Sequence, residues 1–271
     1  MTARPFDLTP TDLPSPWQGR FHDQLGSTSD EALALVRAGE VDGPTLILTH
    51  EQTAGRGRGR AAGSWTSTAG NLAISFIHFP HSPVRDWPAL SYMAGLVLAR
   101  TLRDVCGFPE ASIGLKWPND VFISGGKVAG LLLETVSLPQ GRGQALVLGL
   151  GLNIETAPTL DRPDYIARDL RSLGYDGSAR DVVLHLINGW AEAVERFDRE
   201  PGPRHQLFRD WQARALYLGE DIRVRLDGDE QISGQFIGLD QETGALRLKL
   251  PGGKVRTIMA GDVMLASAPH G

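Results

Sequence analysis

The sequence predicts an α+β protein, a mixed sheet packed with helices and followed by a small all-β barrel. Three observations carry this. Apolar residues recur at helical spacing in several long stretches, and short aliphatic or β-branched runs stand between them. Past Leu218 only short alternating strands remain, separated by glycine-containing turns. The length of 271 residues suits one sizeable core and a smaller second unit. We therefore expect an irregular arm over 1–20, a large unit over 21–216 and the barrel over 217–271.

The elements follow in order. The proline-rich start reads as irregular and leaves no room ahead of Phe21 for a helix-turn-helix. Thr28-Ser29-Asp30-Glu31 has the form of a capping box, and Ala32, Leu35 and Val36 continue at helical spacing until Gly39. Thr45 to Thr49 predicts a strand leading into Glu51, Gln52 and a Gly/Arg loop, and Leu72 to Phe79 a second strand. From about Ala89 to Val105 an apolar stripe predicts a long core helix. The runs Ile113 to Trp117, Val121 to Ile123, Val128 to Val136 and Ala145 to Ile154 predict further strands, with a hairpin turn at Gly125-Gly126. Ser178-x-x-Asp181 opens another helix through Val183, Trp190 and Phe197, and a shorter one follows Pro203. Strands at Ile222 to Leu226, Ile232 to Ile237, Ala245 to Leu250 and Val255 to Met259 complete the chain.

Totals narrow the function. A formal net charge of −5 argues against bulk attraction to nucleic acid or to an anionic membrane. No apolar run reaches the roughly 20 residues that span a bilayer, and the start lacks a signal-peptide pattern, so a cytoplasmic location is expected. The single cysteine, Cys106, fits a reducing compartment and reads as a small buried side chain. Of the 27 basic residues only Lys116, Lys127, Lys249 and Lys254 are lysines, and two of these fall inside motifs.

The motifs are cationic, glycine-rich and amide-bearing. Gly55-Arg56-Gly57-Arg58-Gly59-Arg60 sets three guanidiniums among three glycines, a segment expected to be mobile until an anion orders it. In Lys116-Trp117-Pro118-Asn119-Asp120 a strand ends and the proline turns Asn119 and Asp120 outward, unless Lys116 and Asp120 simply pair. Gly126-Lys127-Val128-Ala129-Gly130 places a lysine at the mouth of an apolar strand, where an anionic ligand would offset its burial, and it lacks the spacing of a P-loop. Gly149-Leu150-Gly151-Leu152-Asn153 permits close approach of something flat, with Asn153 able to read an amide or a purine edge. There is no G-x-S-x-G elbow, and His78 and His81 have no third ligand nearby, so no metal site is expected. Such an inventory suits a reaction whose substrate supplies the nucleophile, for which ATP-dependent carboxylate activation is an example.

These stretches resemble the biotin protein ligase family. The matching pieces are Gly26-Ser27-Thr28-Ser29, Gln52 to Arg60, Trp65, Lys116 to Asp120, Lys127 to Gly130 and Gly149-x-Gly151-x-Asn153, in family order over about 20–155. The terminal barrel resembles the family's SH3-like domain, and the resemblance implies a catalytic domain of the class II aminoacyl-tRNA synthetase/biotin ligase type. It further implies that biotin and MgATP give biotinyl-5′-AMP, and that a lysine of a biotin carboxyl carrier protein domain then takes the biotin. By the same resemblance Lys127, Arg58 and Lys116 are catalytic, and biotin meets Ser27, Thr28, Ser29, Gln52, Arg56, Gly57, Arg58, Lys127 and Gly130. ATP would meet Arg58, Arg60, Trp65, Lys116, Asn119, Asp120 and Asn153. Ser29 departs from the asparagine common at its position, and Ala61-Ala62-Gly63-Ser64 lengthens the path to Trp65. With no DNA-binding segment ahead of Phe21, a monofunctional ligase, monomeric or homodimeric and without DNA or membrane partners, is expected. The runner-up is a lipoate ligase or octanoyltransferase of the related fold. A nucleic-acid-binding protein using the Gly/Arg loop is the alternative of another class.

Overall fold

Side chains of a strand alternate between two faces, so a strand apolar on both faces needs cover on each. The computed structural model describes residues 6–57, 64–159, 166–199, 204–226 and 230–266, and it shows this arrangement. The central strands are β1 (Gln18–Leu25), β2 (Thr45–Arg56), β3 (Ser64–Ser67), β4 (Leu72–His78), β5 (Ile113–Lys116), β6 (Asp120–Ile123), β7 (Gly126–Ser137), β8 (Gln144–Leu152) and β9 (Ile166–Ala167). They pair in the order β1-β2-β4-β8-β7-β6-β5, with β3 on β2 and β9 on β7. The pairs β1–β2 and β7–β9 are parallel and the rest antiparallel, so the sheet is mixed.

Each face has its own helices. Ile47, Ile77, Val136 and Val147 meet Ala32, Leu33, Leu35 and Val36 of α1 (Thr28–Ala38). On the opposite face Leu46, Leu48, Ile74, Phe76 and Leu148 belong to the main core with α2 (Pro88–Asp104) and α3 (Ala179–Arg199). Burying one such aliphatic or aromatic side chain contributes about 1.5–3 kcal/mol, so the two-sided cover outweighs any single polar contact in fixing the sheet. The expected long helices are both present.

Strands β10 (Asp221–Arg225), β11 (Gln231–Leu239), β12 (Leu246–Lys249), β13 (Val255–Ile258) and β14 (Asp262–Leu265) form the C-terminal SH3-like unit, an antiparallel sheet in the order β13-β12-β11-β10-β14. It is tied to the rest by backbone and side chain. Leu115 of β5 donates to the Arg214 carbonyl at 2.8 Å, and Leu216 donates to that of Leu115 at 2.9 Å. The Tyr92 hydroxyl of α2 accepts from Trp117 Nε1 at 3.0 Å and donates to the Gly244 carbonyl at 2.5 Å. Gln212, the last residue of α4 (Arg204–Gln212), accepts from the Leu239 N–H at 2.8 Å.

Several local expectations shift. The arm is not wholly irregular: Phe6 is fully buried against His50, Pro10–Asp12 forms a 3-10 turn, and β1 begins at Gln18. This edge strand carries no clear alternation and is held by its backbone register to β2, which explains its absence from an apolar-pattern reading. Ser27, rather than Thr28, caps α1, accepting from the Asp30 N–H at 3.3 Å. The hairpin turn is Ser124-Gly125, with φ of 47° and 79°, so Gly126 already belongs to β7. Strand β14 was not among the four strands expected at the C-terminus; it is short and follows a bend at Met259-Ala260.

Candidate functional site

Alternation along β8 puts Gly149, Gly151 and then Asn153 on the face covered by α1. The missing side chains matter. A Cβ on Gly149 would lie 2.4 Å from Ser29 Oγ, and one on Gly151 2.2 Å from Trp65 Cε2. Ser29 and Trp65 thus rest on positions two apart on one strand face, about 7 Å from each other.

Around Ser29 a polar cluster is buried. Gln52 Oε1 accepts from the Thr28 backbone N–H at 2.9 Å and from its hydroxyl at 3.3 Å. Ser75 Oγ donates to Thr28 Oγ1 at 2.8 Å and lies 3.1 Å from Ser29 Oγ. The cap residue Ser27 stands next to this chain, itself buried. Gly55 makes room for Gln52, because a Cβ there would sit 2.1 Å from its Nε2. Ser75 belongs to none of the motifs above. Its signal is a lone hydroxyl inside the apolar run from Leu72 to Phe79.

Around Trp65 the site is cationic. Lys127 Nζ lies 5.8 Å from the centre of the indole ring and 2.8 Å from Asp120 Oδ1, both side chains of that ion pair being mostly buried. Gly130, directly opposite Gly151 across β7–β8, would bring a Cβ to 3.4 Å from Trp65 and 3.6 Å from both Asp120 Oδ1 and Lys127 Cε. Asn119 and Asp120 are therefore turned onto β7 rather than outward, and Asn119 Nδ2 donates to the Leu131 carbonyl. Buried and without a hydrogen-bond partner among the described residues are Trp65 Nε1 and Asn153 Oδ1. The Asn153 amide donates to the Arg168 carbonyl at 3.1 Å, and Asn71 Oδ1 holds the following turn by accepting from the N–H groups of Ile154, Glu155 and Thr156.

The Gly/Arg stretch needs correction. Gly55 and Arg56 lie within β2, paired with Trp65 and Ser64 of β3, not in a loop. Arg56 is no idle cation. Its fork donates to Glu134 at 2.9 and 2.6 Å, and its Nε lies 2.8 Å from Asp30 Oδ1. The Glu134 hydrogen bonds raise the guanidinium's pKa above its usual value, with the Asp30 charge adding to the effect. Gly57 is exposed; Arg58, Gly59, Arg60 and Ala61-Ala62-Gly63 lie outside the described residues. Asp30 and Glu134 bear on the site unforeseen, although a carboxylate within the apolar Val128 to Val136 run is visible in the sequence.

Lys116 is 3% exposed, with Nζ 6.0 Å from the Phe122 ring centre and 3.6 Å from Asp262 Oδ1 of β14. Asp120, the pairing candidate four residues along, is bridged to Lys127 instead. Asp262 belongs to β14 of the C-terminal sheet, beyond the last strand that the sequence pattern predicts. Burial raises the Cys106 thiol to about 12, which leaves it protonated and a poor nucleophile.

Comparison with known proteins identifies the family. The sequence model of the biotin/lipoate A/B protein ligase family matches residues 22–153, and that of the biotin protein ligase C-terminal domain matches 217–265. The biotin–[acetyl-CoA-carboxylase] ligase of Mycobacterium tuberculosis is 38% identical over 245 residues, covering 89% of this chain and 86% of that protein. Its counterpart from Paracoccus denitrificans is 36% identical over 245 residues, covering 88% and 96%. The solved biotin protein ligase from Aquifex aeolicus in complex with biotin and ATP shares the fold, with a TM-score of 0.70, 24% identity and coverage of 91% of this chain and 97% of that one. The chain belongs to the biotin protein ligase family.

Proposed function

We propose that this protein is an ATP-dependent biotin–[acetyl-CoA-carboxylase] ligase. In the first step a biotin carboxylate oxygen attacks the α-phosphorus of MgATP, the bond to the β-phosphate oxygen breaks, and pyrophosphate leaves biotinyl-5′-AMP. In the second a neutral lysine amine of a biotin carboxyl carrier protein domain attacks the acyl carbon, AMP departs, and the amine loses its proton. Mg²⁺ arrives with the nucleotide, as it does where substrate phosphates supply much of its coordination. The reaction belongs in the cytoplasm beside its carboxylase acceptor, with the ligase a monomer or homodimer. Catalysis is assigned to 21–216, with 217–271 as the attached barrel.

One observation carries the reading: a buried seat of hydroxyls and an amide lies a single pleat from a lysine and a stacking face. Such a seat suits the polar ureido head of biotin, with Ser27, Thr28, Ser29 and Gln52 around it. Lys127 holds the carboxylate as it becomes an acyl phosphate beside Gly130, and Trp65 and Asn153 take the adenine. Lys116, Asn119, Asp120 and Arg60 support the nucleotide side and Gly57 and Arg58 close over the adenylate, while Arg56, held by Asp30 and Glu134, braces the strand that carries them. Exclusion of water there strengthens each charge interaction and protects the anhydride. The runner-up transferase would need a reactive cysteine, and Cys106 is held as a thiol.

Incubation of the chain with biotin, MgATP and a carrier domain is expected to release pyrophosphate and add one biotin to one acceptor lysine, read by mass spectrometry. Absence of biotin-dependent pyrophosphate release refutes the proposal, and equal turnover of lipoate selects the runner-up. Lys127→Ala is expected to slow adenylate formation by roughly two orders of magnitude, as loss of a donor at developing charge does elsewhere.

A further inference from the structure

The polar cluster at the start of α1 has a sense that can be followed proton by proton. An amide oxygen only accepts, and Gln52 Oε1 accepts both the backbone N–H and the hydroxyl of Thr28. The reverse orientation of the amide would set its NH₂ against a backbone donor. With its proton committed to Gln52, Thr28 Oγ1 must accept from Ser75, at 2.8 Å. Ser75 has then used its only proton, so in the 3.1 Å contact it accepts from Ser29. Among the described residues, Gln52 Nε2 keeps its two donors at one end of the chain, and Ser29 Oγ keeps only lone pairs at the other. Ser75 itself is wholly buried, while Thr28, Ser29 and Gln52 each keep a little exposed surface.

We propose that Ser75 is a positioning residue for substrate selection: by taking the proton of Ser29 and giving its own to Thr28, it holds Ser29 as a pure acceptor while Gln52 remains a donor. This is the complement of a cyclic urea, whose carbonyl accepts and whose two N–H groups donate. The inference rests on the biotin ligase reading above. Without Ser75 the Ser29 hydroxyl is free to rotate and to offer a proton or a lone pair, so the seat no longer distinguishes a ring N–H from a ring oxygen that only accepts. Buried polar groups left mismatched are what reject an analogue, and a rotating hydroxyl removes the mismatch.

The test compares pyrophosphate release with biotin and with a cyclic carbamate analogue of biotin, in which an oxygen that only accepts replaces the ring N–H facing Ser29. It uses the full chain, Ser75→Ala and Ser75→Thr. Ser75→Ala is expected to raise KM for biotin with kcat retained, and to lower the biotin-to-carbamate ratio of kcat/KM by roughly tenfold. Ser75→Thr keeps the hydroxyl and is expected to restore the ratio. A purely structural role would lower both activities and leave their ratio unmoved, and that result overturns the proposal. If Ser75→Ala does not fold, Ser75→Cys, with a weak donor of similar size, is judged by the same ratio. Failure of the unmodified chain to release pyrophosphate with biotin instead overturns the ligase reading beneath it.

Discussion

Glycine at 151 acts through the side chain it lacks. The Trp65 ring occupies the space of its absent Cβ, 2.2 Å from Cε2, so any larger residue must push the indole off β8. Gly151→Ala is expected to raise KM for ATP roughly ten- to hundredfold, the range of a lost base-stacking contact, while calorimetry finds biotin affinity little changed. An unaltered KM for ATP would detach Trp65 from the nucleotide. Arg56 teaches the opposite lesson at the same scale. Its type and neighbours in the chain suggest a cation awaiting an anion, yet two carboxylates from α1 and β7 already hold it. Sequence neighbours of Arg56 carry no hint of Glu134, 78 residues away.

Helix α1 joins folding to the site, because its first turn supplies Thr28 and Ser29 and its apolar face covers the sheet. Ser27 caps it, and Gly39 ends it at φ 71°, where a Cβ is unfavourable. Ser27→Ala is expected to cost about 1 kcal/mol in urea unfolding and to weaken biotin binding, since the turn that presents Thr28 and Ser29 frays. A stability loss with unchanged biotin affinity would reduce Ser27 to a cap alone. The cap was legible to within one residue from the Thr28-Ser29-Asp30-Glu31 stretch. The extension of β2 through Arg56 was not, because its last residues lack strand propensity and are paired by β3.

For the whole molecule, one of the links between the two sheets runs through Tyr92. Its hydroxyl accepts from Trp117, at the end of β5, and donates to Gly244 in the C-terminal unit, while its ring lies edge-on to Phe208 and Trp211. Tyr92→Phe keeps the ring and removes both hydrogen bonds. About 2 kcal/mol of stability should be lost in urea unfolding, with faster amide exchange around Gly244, because two buried groups lose their partner. Exchange unchanged in that turn would mean that the unit is held elsewhere, for instance by Gln212 or the Leu115 pairing.

Sequence alone determined the class of fold, the long helices, most strands and the order of the ligase motifs. These are local matters of periodicity, capping and turn chemistry, written in residues near one another. Three-dimensional structure alone decided which charges meet. Lys127 pairs with Asp120, Lys116 with an aspartate of the far sheet, and Arg56 with Asp30 and Glu134. It also decided that Ser75 closes a chain of hydroxyls begun by α1. Side-chain partnership depends on strand order and on which face of the pleat each residue takes, and neither is encoded within any one segment.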